Sequence, residues 1–147
     1  MNLDKLDMMI LNELLSDSRL SYRKLAEKLN VAVGTVQARI KKMEKEGIIK
    51  GYTVVLDHER LGYQLTSITE VIVSKGKLID TEKEIAKMRN VLAVYDVTGD
   101  ADIVVVAKFK SREELSKFTK TLLSLPYVER TKTYVVLTTI KEDFRMP

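Results

Sequence analysis

Residues whose types and spacing could do chemistry fall in two places. The first is the run Thr35-Val36-Gln37-Ala38-Arg39-Ile40-Lys41-Lys42-Met43-Glu44-Lys45, where polar and cationic side chains interleave with apolar ones at helical spacing. An amide such as that of Gln37 bonds adenine bidentately, and a guanidinium such as that of Arg39 fits guanine or a phosphate. Lys41, Lys42 and Lys45 suit phosphate oxygens, which supply affinity without sequence information. The second place is Thr98-Gly99-Asp100-Ala101-Asp102. Gly99 lets backbone N–H groups approach a carboxylate closely, and Asp100 or Asp102 can accept an ammonium. A free amino acid carries both groups. The same Gly-Asp pair is also ordinary turn chemistry.

Other chemistries are excluded by composition. The 147 residues contain no Cys and one His, so a disulfide scaffold, a thiolate metal site, a Cys nucleophile and a paired-His site are all ruled out. No Gly-rich phosphate loop with Lys and Ser/Thr occurs, and no catalytic triad has supporting spacing. The single His58 sits between Asp57 and Glu59 in a polar turn. No stretch approaches the roughly 20 apolar residues that span a bilayer, and no basic-then-apolar leader is visible, so a cytoplasmic protein without a membrane role is expected. No cofactor is expected.

Charge is unevenly placed. Residues 1–18 carry a net −3, residues 19–50 a net +6 and residues 51–147 a net +1. The positive excess thus lies in the segment holding the first group of residues. That is the electrostatic footprint expected for a polyanion, although a Lys-rich solvated helix face would read the same way.

Three helices are needed to position that segment. Leu3, Leu6, Ile10 and Leu14 recur at spacings of three and four, with Asp4 as N-cap and Asp7 in the first turn. Ser21 caps a second helix with Leu25, Ala26 and Leu29 inward. After the short break Asn30-Val31-Ala32, a third runs from about Val33 to Lys45, with Val36, Ile40 and Met43 on one face and Gly47 closing it. Two helices joined so tightly form a helix-turn-helix, whose later helix enters the major groove.

The second half alternates. Residues 66–74 read as a strand, 80–89 as a helix, 91–98 and 102–109 as strands around the Gly99 turn, and 127–140 as a last strand. Ser111 opens a helix ending before Pro126, with Glu114 completing a capping box. The order β-α-β-β-α-β is the ferredoxin-like split unit, with two helices on one face of a four-stranded antiparallel sheet. Its other face also carries Val and Ile, and so small a domain is marginal alone. Self-association as a two-fold dimer follows. The expected fold is therefore α+β: a helix-turn-helix domain over 1–50, a linker strand and turn over 51–62, and a ferredoxin-like βαββαβ domain over 63–147.

These strings resemble a known family. Leu3-Asp4-Lys5-Leu6-Asp7-Met8-Met9-Ile10-Leu11, Arg19-Leu20-Ser21-Tyr22-Arg23-Lys24-Leu25-Ala26, and residues Thr35 through Ile49 are similar to the DNA-binding domain of the Lrp/AsnC transcription regulators. Gly51-Tyr52-Thr53 resembles the family's linker strand. The resemblance covers essentially the whole chain. It implies a sequence-specific regulator that binds double-stranded, palindromic DNA as a dimer or higher oligomer and responds to a small effector such as an amino acid. Thr35, Gln37, Ala38, Arg39, Lys41, Lys42 and Lys45 would face DNA. Thr98, Gly99, Asp100, Ala101 and Asp102 would form the effector loop, with Thr133, Tyr134 and Val135 supplied by a neighbouring chain. There are two departures. Ala32-Val33-Gly34 stands where the family has Ser, Pro and a small polar residue, and Ala101 stands where it has Tyr or Phe. Two alternatives stay open: an enzyme similar to the sirohaem decarboxylases, which share the layout, and a ligand-binding assembly module with no DNA role.

Overall fold

The architecture comes from a computed structural model, which describes residues 2–147. The first helix, α1 (Lys5–Ser16), starts where the sequence places it. Its N-terminus is a reciprocal capping box: the Asp7 N–H donates to Asp4 Oδ1 and the Asp4 N–H to Asp7 Oδ2, both at 3.0 Å. Two of the N–H groups orphaned at a helix start are thereby satisfied. α2 (Tyr22–Leu29) begins at Ser21, whose hydroxyl accepts from the Lys24 N–H, and ends at Asn30 in the left-handed conformation. α3 (Val33–Lys45) follows after only Asn30–Ala32 and closes at Gly47, with φ +73°. Ile10, Leu25, Ala26, Val36, Ile40 and Met43 are buried together as the core of this bundle. Each comes from the apolar stripe of its helix, so sequence periodicity and packing agree.

The second half folds as β1 (Leu65–Val73), α4 (Leu78–Ala86), β2 (Val91–Asp96), β3 (Ile103–Phe109), α5 (Arg112–Ser124) and β4 (Val128–Val135). The four strands form one antiparallel sheet in the order β2-β3-β1-β4, as the split βαββαβ unit requires. Val71, Val73, Ile103, Val105, Ala107 and Phe109 face the helices and pack on Ile85 of α4 and on Phe118 and Leu122 of α5. The Phe109 and Phe118 rings lie 5.1 Å apart. Side chains alternate across a strand, so Ile68, Glu70 and Ile72 of β1 point to the opposite face with Val104 and Val106 of β3. Ile68 and Tyr134 are exposed there.

Three expectations need correction. Residues 51–57 form no strand. The segment is apolar enough, but a strand needs a paired neighbour, and no ladder among the described residues includes it; Tyr52, Val54, Val55 and Leu56 are exposed. The last strand stops at Val135; the Val136 N–H still donates to the Thr66 carbonyl at 2.9 Å, but β1 itself begins at Leu65 and the ladder ends there. The second capping box is only half made. Ser111 Oγ accepts from the Glu114 N–H, but the Glu114 carboxylate takes the Lys110 N–H, one residue earlier than the reciprocal geometry needs.

The chain divides into two compact units. One runs through Val55 and includes Lys141–Pro147; the other is Leu56–Ile140.

Candidate nucleic-acid interface and effector loop

In the first unit, the burial of Val36, Ile40 and Met43 sets the roll of α3. With 3.6 residues per turn, Thr35, Ala38, Lys41, Lys42 and Lys45 then stand on the outward half of the helix. All five are exposed, while Gln37 and Arg39 lie half-buried on its flanks. Lys41, Lys42 and Lys45 make no ion pair among the described residues, so their charges are free for a polyanion. Arg23 and Lys24, in the first turn of α2, are also exposed. Sequence analysis counted their charge without singling them out.

Arg39 does not stand with the outward group. Its guanidinium Nη1 donates to Asp4 Oδ2 and, at 3.2 Å, to Asp7 Oδ1. The Asp7 side chain is only 2% exposed, so this charge sits at the seam between α1 and α3. The Arg39 guanidinium, and then the Asp7 backbone N–H, hold the Asp4 carboxyl below its ordinary range; in return Asp4 raises the guanidinium. The expectation that Arg39 faces DNA, on guanine or a phosphate, did not include the two acids from α1 that folding brings beside it.

The other flank of α3 is also tied down. The Tyr52 hydroxyl donates to Glu44 Oε1 at 2.8 Å, and burial followed by that carboxylate pushes the phenol up to about 12. The start of the helix has no such help. Ala32, at the N-cap, offers no side-chain hydrogen bond, and Gly34 lies in the first turn.

In the second unit, the β2–β3 hairpin carries the loop 97–102. The Val97 N–H donates to the Asp102 carbonyl, closing it, and Gly99 takes φ +105°, a conformation that L side chains rarely adopt. Thr98, Gly99 and Asp100 are exposed, whereas Ala101 is buried. Asp102 is committed to the fold. Its Oδ2 accepts the Val73 N–H at 2.9 Å, and its own N–H donates to the Val71 carbonyl at 3.1 Å. It thus satisfies β1 just where that strand outruns β3. Of the two aspartates expected to take an ammonium, Asp102 thus already holds β1 through one oxygen, and Asp100 stands exposed.

Thr133, Tyr134 and Val135 do not join this loop within one chain. β1 lies between β3 and β4, so at the usual strand spacing the two sets sit roughly 10 Å apart across the sheet. They are also offset along it: β4 meets the level of Ile103 at Thr131. Thr133 and Val135 point to the helix-bearing face, where Thr133 Oγ1 lies 3.2 Å from Thr69 Oγ1. Tyr134 points to the open face with Lys132 Nζ 5.2 Å from its ring centre. Glu70 lies on that same face, paired across the ladder with Lys132. His58 stands edge-on to Tyr63 at 6.1 Å.

A tight helix-turn-helix with a free cationic face, joined to a split βαββαβ unit, defines a regulator with one part for DNA and one for a ligand. Comparison with known proteins agrees. Residues 3–50 match winged helix-turn-helix DNA-binding domains, and residues 66–146 match the Lrp/AsnC ligand binding domain. The chain belongs to the Lrp/AsnC family of DNA-binding transcription regulators. It is 52% identical to an HTH-type transcriptional regulator of Pyrococcus furiosus, over 99% of both chains. It is 36% identical to the HTH-type transcriptional regulator FL11 of Pyrococcus horikoshii, over 99% of this chain and 96% of that one. A transcriptional regulator of Neisseria meningitidis, solved in complex with L-methionine, superposes with a TM-score of 0.91 at 29% identity, covering 99% and 97% of the two chains.

Proposed function

We propose that this regulator reads a palindromic duplex as a homodimer, and that an amino-acid effector changes how dimers assemble. The observation that carries the reading is the outward face of α3: three unpaired lysines beside Thr35 and Ala38, on a helix reached through a three-residue turn. Residues 1–50 form the DNA-binding part, 51–62 the connection and 63–147 the effector and assembly part. Thr35, Gln37 and Ala38 meet base edges, while Lys41, Lys42 and Lys45, with Arg23 and Lys24 of α2, hold phosphates.

A dimer follows from the open sheet face, where Ile68, Ile72, Val104 and Val106 lie away from the core that packs on α4 and α5. Two-fold symmetry then sets two recognition helices about one DNA turn apart. The effector is held by the N–H groups around Gly99 for its carboxylate and by Asp100 for its ammonium. Thr133, Tyr134 and Val135 of a neighbouring chain close the pocket. The Neisseria relative's methionine complex supports an amino acid as the class. Its affinity must differ between two assemblies, since a ligand shifts an equilibrium only by that difference. The relatives' names support a regulator rather than an enzyme, and a DNA-binding role suits a cytoplasmic location.

Selection of bound duplexes from a random pool at two salt concentrations, with Lys41→Met/Lys42→Met as control, tests the reading. An enriched palindrome is expected, whose binding falls steeply with salt and is weakened about tenfold or more in the control. Binding with no enriched sequence would overturn it.

A further inference from the structure

Arg39 lies among the DNA-facing residues in sequence but not in space. Its Nη1 bridges Asp4 and Asp7, the two acids that cap α1. Three facts show what that bridge can do. First, the core contacts of Val36, Ile40 and Met43 turn one face of α3 inward and set its roll, but the hydrophobic effect is non-directional and ties no particular atom of α3 to a neighbouring helix. A charge-assisted hydrogen bond is directional, and Arg39 supplies one on a single flank. Second, the N-terminal turn of α3 lacks a side-chain cap, so its position has to be set from elsewhere. Third, Asp7 is nearly inaccessible and is oriented by its own bonds within the capping box, which makes it a rigid post.

We propose that Arg39 is a positioning residue, locking the recognition helix onto the capped start of α1 through Asp4 and Asp7 so that Thr35, Ala38, Lys41 and Lys42 meet DNA in one register. This rests on the reading that α3 enters the groove. The two acids give the proposal its leverage. Removing negative charge from a DNA-binding unit strengthens binding on electrostatic grounds alone. If the acids act through Arg39 to set the helix, removing them weakens it. The two accounts predict opposite signs.

The experiment measures binding of the full chain to its selected duplex over a salt series. The proteins are wild type, Arg39→Met, Arg39→Lys, Asp4→Asn, Asp4→Asn/Asp7→Asn and Arg39→Met/Asp4→Asn, each with a thermal melt. Arg39→Met and the double Asn variant are expected to lose about tenfold or more, while Arg39→Lys, whose ammonium can still bridge both acids, stays within about threefold of wild type. Asp4→Asn should weaken binding while the protein remains folded, and it should add little once Arg39 is Met. The salt slope should be unchanged in Arg39→Met, whereas loss of a phosphate contact lowers it by about 0.9. The proposal is overturned by tighter or unchanged binding in Asp4→Asn, by additive losses, by a slope reduced by about 0.9 in Arg39→Met, or by loss of preference at one base position only. Failure of the wild type to select any duplex would instead overturn the DNA-reading assignment of α3. If burial of Asp7 makes the double variant unfold, the exposed Asp4 and the Arg39 pair still decide the matter.

Discussion

The two units treat their functional residues differently. On the helical unit, every side chain proposed for DNA stands on two consecutive helices, and one core holds them. The surface is whole within a single chain. On the sheet unit, the loop around Gly99 and the residues at 133–135 are parted by β1, and Tyr134 faces away from Thr133. The effector site proposed from these residues therefore takes its missing side from a second chain. The proposed DNA-reading face is thus a property of one fold, and the proposed effector pocket a property of an assembly. The same contrast separates two charges that look alike in sequence. Arg39 and Asp102 both sit among candidate ligand contacts, and both are tied to their own unit: Arg39 to α1, and Asp102 to the Val73 N–H.

The comparison breaks most readily through the cores. Ile40 and Ile85 are each fully buried, one in each unit. Ile40→Ala and Ile85→Ala should each cost about 2–5 kcal/mol. Denaturant unfolding followed by hydrogen exchange should show each loss confined to its own unit; a loss shared equally by both would mean that the units are not separate. A middle-sized effect distinguishes the two loop acids. Asp102→Ala leaves the Val73 N–H without its acceptor and should destabilise by about 1–3 kcal/mol. Asp100→Ala should leave the melting temperature in place and weaken binding of an amino acid that the wild type is found to take, measured by calorimetry. The reverse pattern would return Asp102 to the pocket. The smallest effect concerns the start of α3. Ala32→Ser supplies the missing cap and should stabilise the helical unit by about 1 kcal/mol. Amide exchange at Gly34–Val36 should slow in free protein; exchange in wild type equally slow with and without DNA would show that the uncapped start is not loose.

Much of the architecture was legible from local rules. Asp4, Ser21 and Gly47 mark helix ends because capping is decided by a few neighbouring residues. The core stripes of α1 and α3 follow from spacing alone, and the alternation after Leu65 orders the sheet. Residues 51–57 were misread as a strand because β-propensity describes a residue's fit to a sheet, and the chain offers this segment no sheet to join. The ion pairs of Arg39 were not legible because the acids that make them lie more than thirty positions earlier.

By itself the sequence determined the helix-turn-helix, the split βαββαβ order and the cationic segment, since periodicity, caps and charge are carried by residues close together in the chain. Only the tertiary structure decided which of those charges are free. Lys41, Lys42 and Lys45 remain open to a partner because no carboxylate among the described residues folds back to them, while Arg39 and Asp102 are tied to their own units because packing delivers Asp4, Asp7 and a β1 amide to within hydrogen-bond reach.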